Sequence, residues 1–183
     1  CMGGVYLISH HILLDNFESI EVQRTKKISM QVSKNLDYEL DTLGLITQLI
    51  NTSLREEPQL SNNLYSLKDK LERTQLSHVD LITIADVSTK KQSFTYISKN
   101  IAQPPFDITQ FQRSLSQLPD NSQGILVVNG QVWLIVQYRE PNSNRGMQPK
   151  IVAARHLNNA LLDEIGRTIG ATINVQTVID AKD

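Results

Sequence analysis

At 183 residues, with 40% hydrophobic and 20% charged side chains, the chain has the make-up of one globular domain with a sizeable core. Its 18 basic and 19 acidic residues leave a formal charge of −1 and form no Lys/Arg block, which argues against nucleic acid or an anionic bilayer surface as a partner. The single cysteine, Cys1, excludes an internal disulfide framework and a cysteine-rich zinc site.

The first element is a long helix. From Val5 to Gln48 the chain contains no Pro and, apart from Gly44, no Gly. Leu13, Phe17, Ile20, Ile28, Val32, Leu36, Leu40, Leu43, Ile46 and Ile50 recur mostly at steps of three and four, one face of an amphipathic helix. Glu21, Arg24, Lys26, Lys27, Lys34, Asp37 and Asp41 point elsewhere. At 1.5 Å per residue such a helix is on the order of 60 Å long, more than one small domain covers, so it reads as a stalk over residues 1–58. From Val32 the spacing approaches a heptad seam, and a second copy of the helix is one partner for it, through Ile28, Val32, Leu36 and Leu43. A neighbouring sheet is the other partner for the same stripe. No stretch approaches the roughly 20 apolar residues of a membrane span. Because the chain opens on Cys1 and an apolar stub through Ile8, and ends without a clear stop, it is expected to be an excised piece of a larger protein.

Pro58 breaks the helix, and residues 59–183 are expected to form the core of the same domain. A short helix over Asn62–Leu76 would bury Leu64, Leu67, Leu71 and Leu76. The β-branched run Val79–Val87 and the alternating run Ser93–Ile97 predict an antiparallel hairpin. Asp107 can cap a helix carrying Ile108, Phe111 and Leu115, with Gln110 at the capping-box position. Asn129-Gly130 between two apolar runs marks a two-residue hairpin, since both positions of that turn need positive φ. A third strand of the meander follows at Lys150–Arg155, then a helix from about Asn158 to Ile169 ended by Gly170, then a last strand over Ala171–Val178. The order predicts an α+β fold: a long N-terminal helix packed on an antiparallel PAS/Cache-like sheet, with a C-terminal helix and strand.

No enzyme chemistry emerges. The eight glycines form no phosphate loop, the four histidines (His10, His11, His78, His156) have no zinc-ligand spacing, and no Ser sits in a nucleophile elbow. Asp37 and Asp41, one helical turn apart, fit the wet side of a helix better than an acid/base pair. No cofactor or metal is expected. Strand parity supplies a candidate pocket instead. Trp133, Ile135, Gln137 and Arg139 share one face, and Val132, Leu134, Val136 and Tyr138 share the other, apolar face, which would pack on the stalk helix. A ring, an amide and a cation suit a site that orients a small polar molecule. Tyr96 would join this site, and Arg139 with Arg155 would clamp an anion by bidentate hydrogen bonds. The competing reading makes Trp133 covered core and pairs the arginines with acids such as Asp86 or Glu140.

The run Ile8–Glu21, with Phe17 and then the apolar-Glu pair Ile20-Glu21, resembles the opening of the type-4 CHASE domain, an extracellular sensor module of prokaryotic signalling receptors. Gly124–Val128, Val132–Arg139 and Ile151–Leu162 resemble that family's closing hairpin, strand and helix, with Gly124 and Arg155 the most distinctive residues. The chain departs from the family at Leu45–Thr52, where members carry a Trp- and Asp-containing motif. The resemblance implies flanking transmembrane helices, a periplasmic or extracellular sensing domain for an unidentified small molecule, and a cytoplasmic histidine kinase or cyclic-dinucleotide enzyme. The function expected is therefore ligand sensing, relayed through the N-terminal helix of a homodimer. A structural spacer or protein-interaction module and a cytosolic PAS-type module are the rivals.

Overall fold

The computed structural model describes residues 19–56, 66, 69, 73, 78–86, 93–98, 108–139 and 149–175. The elements are α1 (Ser19–Glu56), β1 (Leu81–Asp86), β2 (Ser93–Ile97), α2 (Ile108–Ser116), β3 (Gln123–Val128), β4 (Gln131–Arg139), β5 (Pro149–His156) and α3 (Asn159–Ile169). The five strands form one antiparallel sheet in the order β2-β1-β5-β4-β3. The β1-β2 hairpin and the β3-β4-β5 meander thus meet where β5 returns beside β1. This is the α+β architecture expected from the sequence.

α1 runs 38 residues without a break, about 57 Å at the usual helical rise. Its halves differ. From Glu39 on, Leu40, Leu43, Thr47, Ile50 and Leu54 recur at three and four and are buried, whereas none of Arg24–Tyr38 is. The buried stripe lies on the sheet face formed by Ile82, Ile84, Phe94, Tyr96, Leu134, Val136, Ile151 and Ala153. α3 adds Leu161, Leu162 and Ile165 to the same core. Leu134 and Val136 therefore face the long helix, as strand parity required.

The opposite face is covered by α2, whose Phe111 and Leu115 pack with Leu81, Leu126, Trp133, Ile135, Val152 and Ala154. With a helix on each side, every residue of Trp133–Gln137 and of Ile151–Arg155 is buried. Two-sided burial explains why these strands read as near-continuous apolar runs.

Local signals place the connections. Asn129 (φ 52°) and Gly130 (φ 75°) make the two-residue turn between β3 and β4. The Asn158 side chain accepts a hydrogen bond from the Leu161 amide at the start of α3, and Gly170 ends that helix at φ 68°.

Two expectations are corrected. Residues 171–175 are not a strand: the Ala171 amide folds back to the Gly166 carbonyl at 2.9 Å, and Ile173 packs on the α1-side core. β-branched residues there serve packing, not pairing. Among the residues expected at a dimer interface, Leu43 is fully enclosed by its own sheet and Leu36 packs partly on the same core, so the sheet and not a second copy takes this part of the stripe. Ile28 and Val32 lie within Arg24–Tyr38, none of which is buried. The stub before Ser19, the Asp107 cap and residues 176–178 lie outside the described residues. Of the helix expected over 62–76, Ser66, Asp69 and Arg73 are described and helical, with an Arg73–Asp69 ion pair at 2.7 Å.

Candidate functional site

The sheet divides the residues expected to share one pocket. Register pairs Leu134 with Arg155 and Ile82 with both Tyr96 and Ala153, which puts Tyr96 and Arg155 on the α1 face. Trp133, Gln137 and Arg139 lie on the α2 face, so the two arginines project from opposite sides and form no clamp. Both are paired with acids, though not with the acids expected. Arg139 bonds Asp120 at 2.8 Å, and its amide donates to the Asn121 side chain.

Arg155 sits at the junction of β5, α1, α3 and the residues leading into β1. Its Nη1 donates to Glu39 Oε2 of α1 and, at 3.0 Å, to His78 Nδ1; Nη2 reaches Glu164 of α3 at 3.5 Å. The side chains of Arg155 and Glu39 are 11% and 8% exposed. Two charges at that depth persist only as a pair. Sequence reasoning singled out Arg155 but assigned it to a ligand; Glu39 was missed. Its signal was a carboxylate beside Leu40, on the edge of the apolar stripe.

The α2 face holds buried polar atoms in a row across three strands. Thr83 pairs with Val152, and Val152 with Gln137. Gln137, 1% exposed, donates from Nε2 to the Pro119 carbonyl at 2.8 Å. Its Oε1, Thr83 Oγ1 and the Ser122 hydroxyl beside it have no hydrogen-bond partner among the described residues. Buried acceptors left in that state cost about 1–3 kcal/mol each, and a bound group that donates to them recovers it. Lys150, one row on, donates to the Leu115 carbonyl at 3.3 Å. Burial lowers its pKa from the ordinary lysine value; Asp120 opposes that shift and Arg139 adds to it.

At the far end of this face three rings stack in sequence. Phe111 meets Trp133 edge-on at 5.5 Å, and Trp133 stacks on His156 at 4.7 Å. Burial lowers the pKa of His156, and the nearby Asp80 carboxylate partly restores it. Asp80 also accepts the His156 amide at 2.8 Å. Trp133, fully buried in this stack, is core.

No family model matches the chain, and no curated protein does. Among solved structures it is similar to the periplasmic domain of Vibrio cholerae LuxQ, at 16% identity over 79% of this chain and 70% of that one, with a TM-score of 0.48. A selenomethionine crystal structure of the same domain gives 17% identity, 79% and 69% coverage, and a TM-score of 0.45.

Two predictions follow from the geometry of these groups. Glu39→Gln removes the buried carboxylate and leaves Arg155 only the exposed Glu164 carboxylate at 3.5 Å, and should cost up to about 3–5 kcal/mol in urea unfolding, whereas Glu39→Leu combined with Arg155→Met should lose much less than the sum of the single changes. His156 has its pKa lowered on folding, so the unfolded chain takes up its proton first as pH falls. The stability this group contributes is present above the ordinary histidine value of about 6.5 and is lost as pH drops through the folded value. Thermal melts between pH 8 and pH 5 should therefore show a decline that His156→Phe, which keeps the stack, makes shallower.

Proposed function

We propose that the chain is an extracytoplasmic ligand-sensing domain of a membrane-bound signalling receptor, the role implied by its resemblance to type-4 CHASE domains, with a histidine kinase or cyclic-di-GMP enzyme as output. The segment itself performs no catalysis and needs no cofactor. The observation that carries the reading is the two-part construction of α1. One half is seated on the sheet by Leu40, Leu43, Ile50, Leu54 and the buried Glu39–Arg155 pair; in the other half of the same unbroken helix, none of Arg24–Tyr38 is buried. A change in the sheet is thereby handed to a rod about 25 Å beyond it.

The ligand side is the α2 face. A small polar molecule whose N–H or O–H groups reach Thr83 Oγ1 and Gln137 Oε1 satisfies atoms that lack partners among the described residues. β5 connects the two faces directly, since Val152 stands in the polar row and Arg155, three residues on, holds α1. A ligand that binds one seating of α1 ten-fold better than another supplies about 1.4 kcal/mol, enough to bias a balanced switch between copies of a homodimer.

A structural spacer is the second reading, and the pairing of both arginines with acids of the chain itself favours it over any anion-binding site. A thermal-shift screen with amino acids, organic acids and purines separates the two, because a specific ligand raises stability by mass action. The sensor reading expects at least one compound to raise the melting temperature of the wild type and to lose that effect in Thr83→Val, a variant that itself melts no lower. A panel without shifts supports the spacer.

A further inference from the structure

β3 closes the sheet on one side and pairs with β4 alone. The Gln137 amide donates to the Ser122 carbonyl at 2.8 Å, and that bond fixes the phase of the ladder. In an antiparallel pair alternate residues exchange hydrogen bonds, so Ser122, Gly124, Leu126 and Val128 turn their backbone groups to β4, and Gln123, Ile125 and Val127 turn theirs outward. The outward N–H and C=O groups of these three residues have no hydrogen-bond partner among the described residues. They repeat about every 6.8 Å along the strand. Gln123 is exposed and Ile125 and Val127 are half-buried, so the row can be reached from outside.

Sheet edges are ordinarily blunted by a charge, a proline or a bulge. β3 has none of these: Gln123–Val128 carries no charge and no proline, and its register against β4 runs unbroken. Nor does a side chain crowd the backbone at Gly124, where an added Cβ would meet nothing within 4 Å. Glycine within a strand is one place where a second backbone can come close.

We infer that this edge accepts an extended segment of a partner protein, an uncharged stretch with apolar residues at alternate positions, which joins the sheet as a sixth strand. The row itself selects an extended backbone, because a helix bonds its own peptide groups and offers no donors and acceptors at that repeat. The side chains select the sequence: a strand laid beside Ile125 and Val127, which are apolar and half-buried, gains by covering them with apolar groups and loses by bringing charge to them. The position of α2 favours a lone segment over the same edge of a second copy. α2 packs over β3, and its Gln110 accepts a hydrogen bond from Asn129 at 2.9 Å beside the β3–β4 turn. Pairing two β3 edges would set two such helices over strands about 4.8 Å apart, where packed helices need about 8–10 Å. The inference does not rest on the sensing role, and a blank small-molecule screen leaves it standing.

Peptide titration followed by amide hydrogen exchange tests it. The probe is a fluorescent peptide of about nine residues with alternating Val and Thr, and the reference is the same peptide with alternate backbone nitrogens methylated, which keeps the side chains and removes the donors. Fluorescence anisotropy should show saturable binding of the probe to the 183-residue chain and about ten-fold weaker binding of the reference. With probe bound, the amides of Gln123, Ile125 and Val127 should exchange about ten-fold more slowly, while those of Gly124, Leu126 and Val128, already turned to β4, change little. Val127→Pro removes one outward N–H without touching the β4 ladder and should weaken the probe about ten-fold; Val127→Lys, which leaves the backbone intact, should weaken it similarly by placing a charge on the edge. No saturable binding at millimolar probe, equal affinity for the methylated reference, or slowed exchange at Ser93, Thr95 and Ile97 of β2 instead would each overturn the proposal. So would slowed exchange at Gln123, Ile125 and Val127 that grows with protein concentration in the absence of peptide, the mark of a second copy on the edge.

Discussion

Glu39 on the long helix and Arg155 on the central strand are separated by 116 residues and joined by a charge-assisted hydrogen bond that almost no water reaches. An apolar stripe by itself positions a helix poorly: sliding α1 by one turn would exchange Leu36, Leu40, Leu43 and Thr47 for one another with modest loss. A buried charge admits no such exchange, since moving Glu39 by one turn leaves Arg155 without its buried carboxylate partner. Hydrophobic burial supplies most of the adhesion between helix and sheet. The ion pair sets the register, and His78 and Glu164 tie the same guanidinium to two further parts of the chain.

The sheet then acts as a partition. β4 and β5 are buried on both faces, so every polar group on them must be satisfied within the protein or by something bound to it. On the α1 side that demand is met by Glu39. On the α2 side Gln137 is half satisfied, through Pro119, and Thr83 is not satisfied among the described residues. Alternate residues of one strand thus meet a rigid ionic contact on one face and unused hydrogen-bonding capacity on the other. That contrast is the physical basis of our proposal that reception lies on one side of the sheet and transmission on the other.

Much of the fold was legible because its signals are local. Asn129-Gly130 dictates its turn, Asn158 and Gly170 bracket α3, and parity along β4 correctly sent Leu134 and Val136 to the long helix. The site was less legible, because parity within a strand does not say how two strands align. Arg139 and Arg155 each follow their own strand's alternation, but only the pairing of Leu134 with Arg155 reveals that they face apart. The stripe expected at a dimer interface divides for a related reason: the sheet covers Leu43 and part of Leu36, while Ile28 and Val32 lie within Arg24–Tyr38, none of which is buried. Ala171–Val178 has strand-like composition, yet residues 171–175 fold back toward α3, since β-propensity records fitness for a pleated surface and does not create a neighbouring strand.

Native-state hydrogen exchange resolved along α1 tests most directly whether one half of that helix is a single cooperative body with the sheet. If the Glu39–Arg155 pair and the stripe beneath it lock the helix in place, amides of Leu40–Leu54 exchange with the slow rates of β4 and β5, and those of Arg24–Asp37 exchange faster. Uniform protection along the helix, or exchange of Leu40–Leu54 as fast as that of Arg24–Asp37, would contradict it.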